Sequence, residues 1–289
     1  MSAGKVLDFG GAWSATLRRG TDVELRGWVQ TALAWCDETD AIAMRHFRRD
    51  VVAERKPDRT FVTVADTSIE QLLRDRISTT FRKHGVVGEE FGTDAGGASV
   101  RWYIDPIDAT HNFIRGVPIF ATLLAVERDG ELQAAVISAP ALGQRWGGWR
   151  GGGAWAMSTH FTTDARRMTV SRIADLADAQ ILYSSPTDLE RSGRAPGMTR
   201  LRGGAWRERG FGDFWGYMLL AEGAAEAMVE VGLNSWDAAA PFLLVEEAGG
   251  RATNFEGERS FTGATFLATN GVLHEQVRSM LVEQGEDER

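Results

Sequence analysis

The sequence has little cysteine and no long apolar run. Cys36 is the only cysteine among 289 residues, which excludes an internal disulfide and suits a reducing compartment such as the cytoplasm. No apolar stretch approaches the roughly 20 residues that a membrane-spanning helix needs. Residues 1–20 lack the continuous apolar segment of a signal peptide, and we expect them to form a flexible extension. We therefore expect a cytoplasmic protein with no membrane partner.

An excess of positive charge is also missing. The formal net charge is −8 at pH 7, which argues against a general nucleic-acid partner. The five histidines show no H-x-x-H or similar spacing, so the sequence does not indicate a zinc site. Neither an internal repeat nor a low-complexity tract is present, and 43% hydrophobic with 25% charged residues is typical of a globular protein.

The length allows one large domain or two packed subdomains. Strands and helices mix in the first half, whereas "ILYSS", "AMVEV" and "FLATN" alternate with helical segments in the second half. We therefore predict an α/β fold with α+β character in its first half. The expected division is an N-terminal subdomain at 21–157 and a C-terminal subdomain at 158–289. The arginine-rich segment 191–209 contains many turn residues and predicts an exposed loop, with a contact to a phosphate-bearing ligand or to another subunit as the alternative.

Two local signals predict where elements begin or turn. Asp129-Gly130 stands between two apolar runs and predicts a β-hairpin turn. Thr67 and Glu70 have the T-x-x-E spacing of a capping box, which predicts a helix start at that point.

The stretch 102–113, "WYIDPIDATHNF", ends an apolar run with two aspartates. Pro106 keeps Asp105 extended, so a turn at this point can aim Asp105 and Asp108 at one spot. Two carboxylates buried together are costly unless one is protonated or a cation lies between them. Oxygen ligands of this kind suit Mg²⁺. The alternative is an Asp-Pro turn in which Asp108 caps a helix.

Further carboxylates occupy similar positions elsewhere in the chain. Glu89 and Glu90 follow the apolar strand of "VVGEEFG", and Asp237 precedes the apolar helix of "SWDAAAPFLLVEEAGG". Asp237 has the alternative of capping that helix, and Glu90 that of facing solvent. Because α/β folds gather ligands where strands end and helices begin, these sites and the aspartate pair together favour a metal centre.

The blocks "GEE", "WYIDPIDATHNF", "WDAAA" and "EEAGG" resemble, in this order, the signature of the Mg²⁺-dependent, lithium-sensitive inositol monophosphatase family. The resemblance runs from about Thr21 to the final helix. It implies a layered α-β-α-β-α sandwich of the sugar-phosphatase type. It also implies a phosphate monoester as the small-molecule substrate, no phosphoenzyme, and a homodimer.

The same resemblance assigns metal ligands and chemistry. The implied ligands of two or three Mg²⁺ ions are the carboxylates of Glu89, Asp105, Asp108 and Asp237 and the backbone carbonyl of Ile107. The implied reaction is in-line attack of an activated water on the phosphate monoester, with metal also stabilising the leaving alkoxide.

Two residues beside these motifs resemble the family's water-orienting pair. Thr110 matches a threonine that orients the attacking water, and Asp66 matches its aspartate partner, so a hydrogen bond between them is expected. The alternatives are a helix cap for Thr110 and a helix-start charge for Asp66. The amides of Ala109 and Thr110 are expected to contact the phosphate. Ala109 stands where the family usually has glycine, and a positive φ there costs alanine about 1 kcal/mol.

The second half carries the implied substrate pocket. Glu230 matches a family glutamate that binds the substrate alcohol, and Gly212, Asp213 and Phe214 match a segment of the same pocket. "FGDFWGYMLLAEG" and its neighbours resemble most the bacterial histidinol-phosphatase branch. Asp213 and Glu230 suit a cationic amino alcohol, whereas a neutral polyol does not require them. Inositol monophosphate is the alternative substrate, and a non-catalytic binding partner of the same fold is the alternative of another class.

Overall fold

The computed structural model describes residues 20–49, 52–57, 60–94, 97–158 and 165–282. The predicted extension lies outside these ranges except for Gly20, which begins the first helix. In the part of the chain that is described, no helix combines the length and the apolar character that crossing a membrane requires.

The described ranges contain both helices and strands. The helices are α1 Gly20–His46, α2 Val64–Thr80, α3 Thr110–Arg115, α4 Pro186–Arg191, α5 Ala195–Gly204, α6 Asp213–Ala221, α7 Ser235–Glu247 and α8 His274–Val282. The strands are β1 Ala53–Arg55, β2 Phe61–Thr63, β3 Gly85–Gly88, β4 Gly92–Asp94, β5 Val100–Asp108, β6 Ala121–Arg128, β7 Glu131–Ala139, β8 Gln144–Trp149, β9 Gly153–Ser158, β10 Arg166–Arg167, β11 Gln180–Tyr183, β12 Arg207–Arg209, β13 Ala227–Val231, β14 Arg251–Thr253 and β15 Thr265–Thr269.

Most strands belong to two mixed sheets. The eight-stranded sheet has the order β10-β9-β8-β7-β6-β5-β3-β4, in which only β3 and β5 are parallel. The five-stranded sheet has the order β12-β11-β13-β15-β14. The predicted hairpin turn joins β6 and β7, where Asp129 and Gly130 have φ of 54° and 87°. Positive φ at both central residues is the geometry that an Asp-Gly hairpin favours, so this prediction is confirmed.

The elements form five layers, which pack together through three hydrophobic cores. One core lies between α1, α2 and the eight-stranded sheet, and a second fills the space between the two sheets around α6 and α7. The third packs α4, α5 and α8 on the outer face of the five-stranded sheet. This is the α-β-α-β-α sandwich that was expected. The only cysteine, Cys36, is fully buried in the first core on α1.

The start of α2 differs from the prediction. Its N-cap is Thr63, whose side chain bonds the third helical residue, Asp66, while Asp66 accepts from the Thr63 backbone N–H. The capping box thus lies one turn before Thr67 and Glu70. Glu70 is instead fully buried, and its carboxylate accepts the backbone N–H groups of Glu90 and Phe91, at 2.7 and 3.1 Å. Glu70 therefore binds the backbone of a segment 20 residues further along the chain and does not cap α2.

The arginine-rich segment 191–209 is not the loop that was predicted. It contains the helix α5 and the edge strand β12. A Cβ on Gly197 would lie 2.7 Å from the carbonyl oxygen of Leu281, so glycine allows α5 to approach α8 closely. Gly197, which indicates a loop locally, thus serves packing between helices, and Pro196 lies in the first turn of α5.

The division at residues 157 and 158 stays a prediction. The two sheets fall in the two halves of the chain, but β10 at Arg166–Arg167 still pairs with β9 of the first sheet.

Candidate active site

Strand ends and helix starts meet at one cleft of about 840 Å³. β5 ends there at Asp108, β3 is followed by Glu89, α7 supplies Asp237 from its first turn, and β13 supplies Glu230. The predicted site residues that line the cleft are Glu89, Asp105, Ile107, Asp108, Ala109, Thr110, Gly212, Asp213, Phe214, Glu230 and Asp237. Asp66 is the one predicted site residue outside this lining.

Three aspartates form the centre of the cleft. Asp105, Asp108 and Asp237 each offer an oxygen atom, and these atoms lie within 4.8 Å of one another. Asp105 is 2% exposed, and its Oδ1 has no hydrogen-bond partner among the described residues. A buried, unpartnered carboxylate oxygen beside two more carboxylates fits a hard cation.

A β-bulge puts two of these aspartates on one side of β5. In a regular strand, residues three apart face opposite sides of the sheet. Asp105 pairs with Leu123 of β6 and Asp108 with Ala121, so β5 has one residue more than β6 between the two pairs. Pro106 lies in this bulge, where its missing N–H costs no ladder hydrogen bond. The bulge therefore turns the D-P-x-D spacing into a convergent pair.

Burial and mutual repulsion raise the pKa values of these carboxylates, because both penalise the charged form. Burial first, then the charge of Glu89, raises the pKa of Asp105 well above its usual value. Burial and then Asp213 do the same to the pKa of Asp108. The pKa of Asp237 rises to about 7, mainly through burial. A divalent cation among them removes this cost, because it offsets the charge that burial and neighbours penalise.

The Asp237 carboxylate also serves α7. Its Oδ2 accepts the backbone N–H of Asn234 at 2.7 Å in a capping box at the start of the helix. The capping alternative and the metal alternative are therefore compatible, because a carboxylate has two oxygens and one of them belongs to the cluster.

Glu89 and Glu90 share one cation from the protein. The Lys56 ammonium lies 2.9 Å from Glu89 Oε1 and 2.6 Å from Glu90 Oε1. Only Glu89 lines the cleft. Burial raises the pKa of Glu90 to about 7, and its bond to Lys56 opposes that rise. The predicted distinction between Glu89 as ligand and Glu90 as its neighbour agrees with this placement and stays a prediction.

The predicted hydrogen bond between Thr110 and Asp66 is not formed. The Thr110 hydroxyl donates instead to the Ile107 carbonyl at 2.9 Å. Asp66 is buried at the start of α2, where Oδ2 accepts from Thr63 and Oδ1 has no partner among the described residues. Burial raises the pKa of Asp66 to about 6. Asp66 is thus a charge in the first turn of α2, as its alternative predicts, whereas the N-cap of α3 is Ala109 and not Thr110. The catalytic roles of both residues stay predictions.

Two residues without glycine's freedom have positive φ beside the aspartates. Ala109 is the N-cap of α3 with φ 64° and ψ 45°, and Asp213 at the start of α6 has φ 56°. The left-handed region is unfavourable for both side chains. Position 109 thus has the positive φ for which the cost to alanine was stated, and the alanine there is strained.

The opposite wall of the cleft is also acidic. Glu230 is 5% exposed, and burial followed by the charge of Asp213 raises its pKa to about 8. Asp108 connects the two walls, since its Oδ2 accepts the backbone N–H of Phe214 at 2.8 Å.

Several lining residues were missed by the sequence reasoning. His111 is exposed and lines the cleft, and its ring packs edge-on against Phe61 at 5.3 Å. Ser184, Ser185 and Asp188 also line the cleft. The position of "YSS" at the end of β11 was the signal that could have found the serines.

Comparisons with known proteins define the class first. An IMPase from Thermotoga maritima superposes with a TM-score of 0.76 at 28% identity, over 86% of this chain and 94% of that chain. The protein suhB from Bartonella henselae has a TM-score of 0.81 at 25% identity, over 90% and 100%. The fold and the carboxylate cluster thus define a metal-dependent phosphatase of the α/β sandwich type.

Sequence relatives then define the family. The histidinol-phosphatase of Streptomyces coelicolor is 41% identical over 88% of this chain and 96% of its own length. An inositol-1-monophosphatase of Rhizobium meliloti is 36% identical, over 68% and 73%. The profile of the inositol monophosphatase family matches residues 24–286, and this chain belongs to that family. The predicted family, fold and class of phosphoric monoester hydrolase are confirmed.

The strain at Ala109 predicts that Ala109→Gly stabilises the fold. Glycine adopts φ 64° freely, so the free energy of unfolding should rise by about 1 kcal/mol, part of the gain being offset by the greater freedom of glycine in the unfolded chain. Urea unfolding measures this change. Ala34→Gly, at an exposed position inside α1, is the matched control and should lower stability by about 1 kcal/mol. Equal losses in both variants would contradict the assigned strain.

The raised carboxylate pKa values predict that magnesium stabilises the protein more as the pH rises. With pKa values of about 7 for Asp237 and about 8 for Glu230, the folded state binds protons more tightly than the unfolded chain. Their contribution to stability is therefore present near pH 4 and lost as the pH rises through about 7 to 8. A cation replaces the protons on the aspartates. The increase in Tm caused by Mg²⁺ should be larger at about pH 8 than at about pH 5, and equal increases would contradict this cause.

Proposed function

We propose that this chain is a histidinol-phosphate phosphatase that uses two or three Mg²⁺ ions. The proposal combines the phosphatase class with a particular alcohol, the amino alcohol histidinol. Relatives named histidinol-phosphatase, at 41% and 40% identity, support it.

The observation that carries the proposal is the charge of the cleft. Seven carboxylates line it, and no lysine or arginine does so among the described residues. Four of the seven, at the aspartate cluster and Glu89, are the predicted metal ligands. Asp188 pairs with Arg191 at 3.2 Å on the outer rim. Asp213 and Glu230 remain on the wall that faces the alcohol, where a cationic substrate gives them a partner and a neutral polyol does not.

The same charge pattern disfavours esters with a second phosphate. A second phosphate needs a cationic cradle of lysine, arginine or exposed backbone amides. The alcohol wall offers carboxylates instead, so a bisphosphate or dinucleotide would meet repulsion there.

The donor set fits magnesium. We expect the carboxylates of Glu89, Asp105, Asp108 and Asp237, with the Ile107 carbonyl, to hold the ions, because all are oxygen donors and Asp105 has an unpartnered oxygen. Bound there, magnesium neutralises the phosphate and lowers the pKa of a water molecule.

The protein groups around the cluster position water and phosphate. The Thr110 hydroxyl donates its hydrogen to the Ile107 carbonyl, so its oxygen lone pairs remain to accept a hydrogen bond from an incoming water molecule. Asp66 stays a predicted partner in this step, and the amides of Ala109 and Thr110 stay predicted phosphate contacts. Gly212, Asp213 and Phe214 would line the alcohol side together with Glu230.

Inositol-1-phosphate is the second candidate substrate, supported by the relatives named inositol-1-monophosphatase. A non-catalytic role has less support, because a protein without catalytic metal has no evident use for a cluster of buried, mutually repelling aspartates. A homodimer and a cytoplasmic location remain part of the proposal on resemblance and composition alone.

Parallel assays on the two esters test the substrate. With Mg²⁺ present, kcat/KM for histidinol phosphate should exceed that for inositol-1-phosphate by at least about a hundredfold, since sites built to pair a charged or hydrogen-bonding group discriminate strongly. Phosphate release measures both rates. Similar rates for both esters would favour the second candidate, and no metal-dependent release from either would favour the non-catalytic one.

Asp105→Asn tests the metal site separately from the fold. The variant should lose turnover and also lose the Tm increase on adding Mg²⁺. Its Tm without metal should stay the same or rise, because an uncharged amide removes repulsion at a buried position. Asp75→Asn, on the exposed face of α2, is the matched control and should keep both turnover and the response to Mg²⁺. Retained turnover in Asp105→Asn would refute the ligand assignment.

A further inference from the structure

A buried tyrosine holds the glutamate of the alcohol wall. The Tyr217 hydroxyl on α6 donates to Glu230 Oε2 on β13 at 2.7 Å. Tyr217 is 1% exposed and Glu230 is 5% exposed, yet both line the cleft. The hydrogen bond therefore lies in the wall itself, behind the surface that a substrate alcohol would meet.

The tyrosine ring has little freedom. It stacks on Phe266, with ring centroids 4.7 Å apart and planes at 21°, and Phe266 stacks in turn on Phe242. Phe266 is also the cross-strand partner of Glu230 in the pairing of β13 with β15. The strand pairing thus fixes the phenol and the carboxylate relative to each other, and the aromatic stack continues into the core.

The carboxylate keeps acceptor capacity for a ligand. A carboxylate has about four acceptor positions. Tyr217 uses one on Oε2, and the Ser184 hydroxyl also bonds this side chain. Both bonds lower the pKa of Glu230 against the effects of burial and of Asp213, so they favour the charged form. Burial raises the pKa of the Tyr217 phenol, which therefore stays a donor.

A second buried tyrosine–glutamate pair differs from the pair of Tyr217 and Glu230 in having a cation from the protein. In the pair of Tyr103 and Glu127, the hydroxyl donates to the carboxylate at 2.8 Å, and Arg101 lies 3.5 Å from the same carboxylate. Glu127 therefore has a cation from the protein. Glu230 has no ion pair with any lysine, arginine or histidine of the described chain. A buried carboxylate that is held in place by hydrogen bonds and lacks such a cation is suited to receive one from a ligand.

We propose that Tyr217 is a positioning residue that aims the Glu230 carboxylate at the cationic group of the substrate and so sets specificity for a phosphorylated amino alcohol. This inference rests on the proposed function for the identity of the ligand. Tyr217 acts through Glu230 and has no contact of its own with the reacting phosphate.

The test compares two inhibitors in Tyr217→Phe. L-histidinol probes the alcohol wall and inorganic phosphate probes the metal ligands, each as an inhibitor of p-nitrophenyl phosphate hydrolysis with Mg²⁺ present. The ratio of the Ki for histidinol to the Ki for phosphate should rise about tenfold, which corresponds to about 1.4 kcal/mol and to one charge-assisted hydrogen bond. Phenylalanine keeps the ring that stacks on Phe266, so the fold should persist.

Two further variants separate positioning from a structural role. Tyr103→Phe removes the same kind of bond outside the cleft and should leave the Ki ratio unchanged. In Glu230→Gln the ratio should rise, and adding Tyr217→Phe to Glu230→Gln should raise it no further, because the tyrosine acts through the glutamate. Additive losses in the double variant, an unchanged ratio in Tyr217→Phe, or a rise of the same size in Tyr103→Phe would each overturn the proposal.

The same measurements distinguish this proposal from the proposed function. If the unaltered protein is inhibited by histidinol but does not hydrolyse its phosphate, the substrate proposal fails and the Ki ratios still decide the role of Tyr217. If histidinol does not inhibit the unaltered protein at all, both proposals are overturned.

Discussion

Repulsion between buried carboxylates is the constraint on which this structure depends. Asp105, Asp108 and Asp237 bring oxygens within 4.8 Å of one another, which the surrounding fold must oppose with fixed geometry. The bulge of β5 sets the directions of the first two, and the capping box of α7 sets the third. The bulge and the capping box are both stabilised by backbone hydrogen bonding. The positions of the three aspartates therefore do not depend on attraction among the carboxylates themselves.

The two walls of the cleft are mechanically connected. One oxygen of Asp108 accepts the first N–H of α6 after Asp213, and Tyr217 lies one turn further along the same helix. The metal ligands and the group that holds Glu230 therefore share one short, buried element. Asp213, which precedes this hydrogen bond, has a positive φ of 56°.

The sequence predicted those features that depend on the backbone conformation of a few neighbouring residues. The convergence of Asp105 and Asp108 follows from a bulge that contains Pro106 near the end of β5, and the Asp-Gly hairpin follows from the φ values that glycine and aspartate tolerate. Segment 191–209 was misread because its glycines serve contact with a helix some 80 residues away in sequence. The hydrogen bond from Tyr217 to Glu230 was not predicted, because only the packing of α6 on β13 and β15 brings the two side chains together. Spacing along one chain cannot show such pairings.

The thiol of Cys36 on α1 is a natural probe of how often the first core opens. Cys36 has no exposed surface, and burial together with the nearby Asp40 raises its pKa, so it is withdrawn from alkylating reagents and oxidants while the chain is folded. Beside it, a hydrogen bond from Ser138 on β7 to Asp40 on α1 joins these two elements and keeps the thiol buried. The rate at which the Cys36 thiol is modified therefore measures how often the first core opens, and no engineered cysteine is needed.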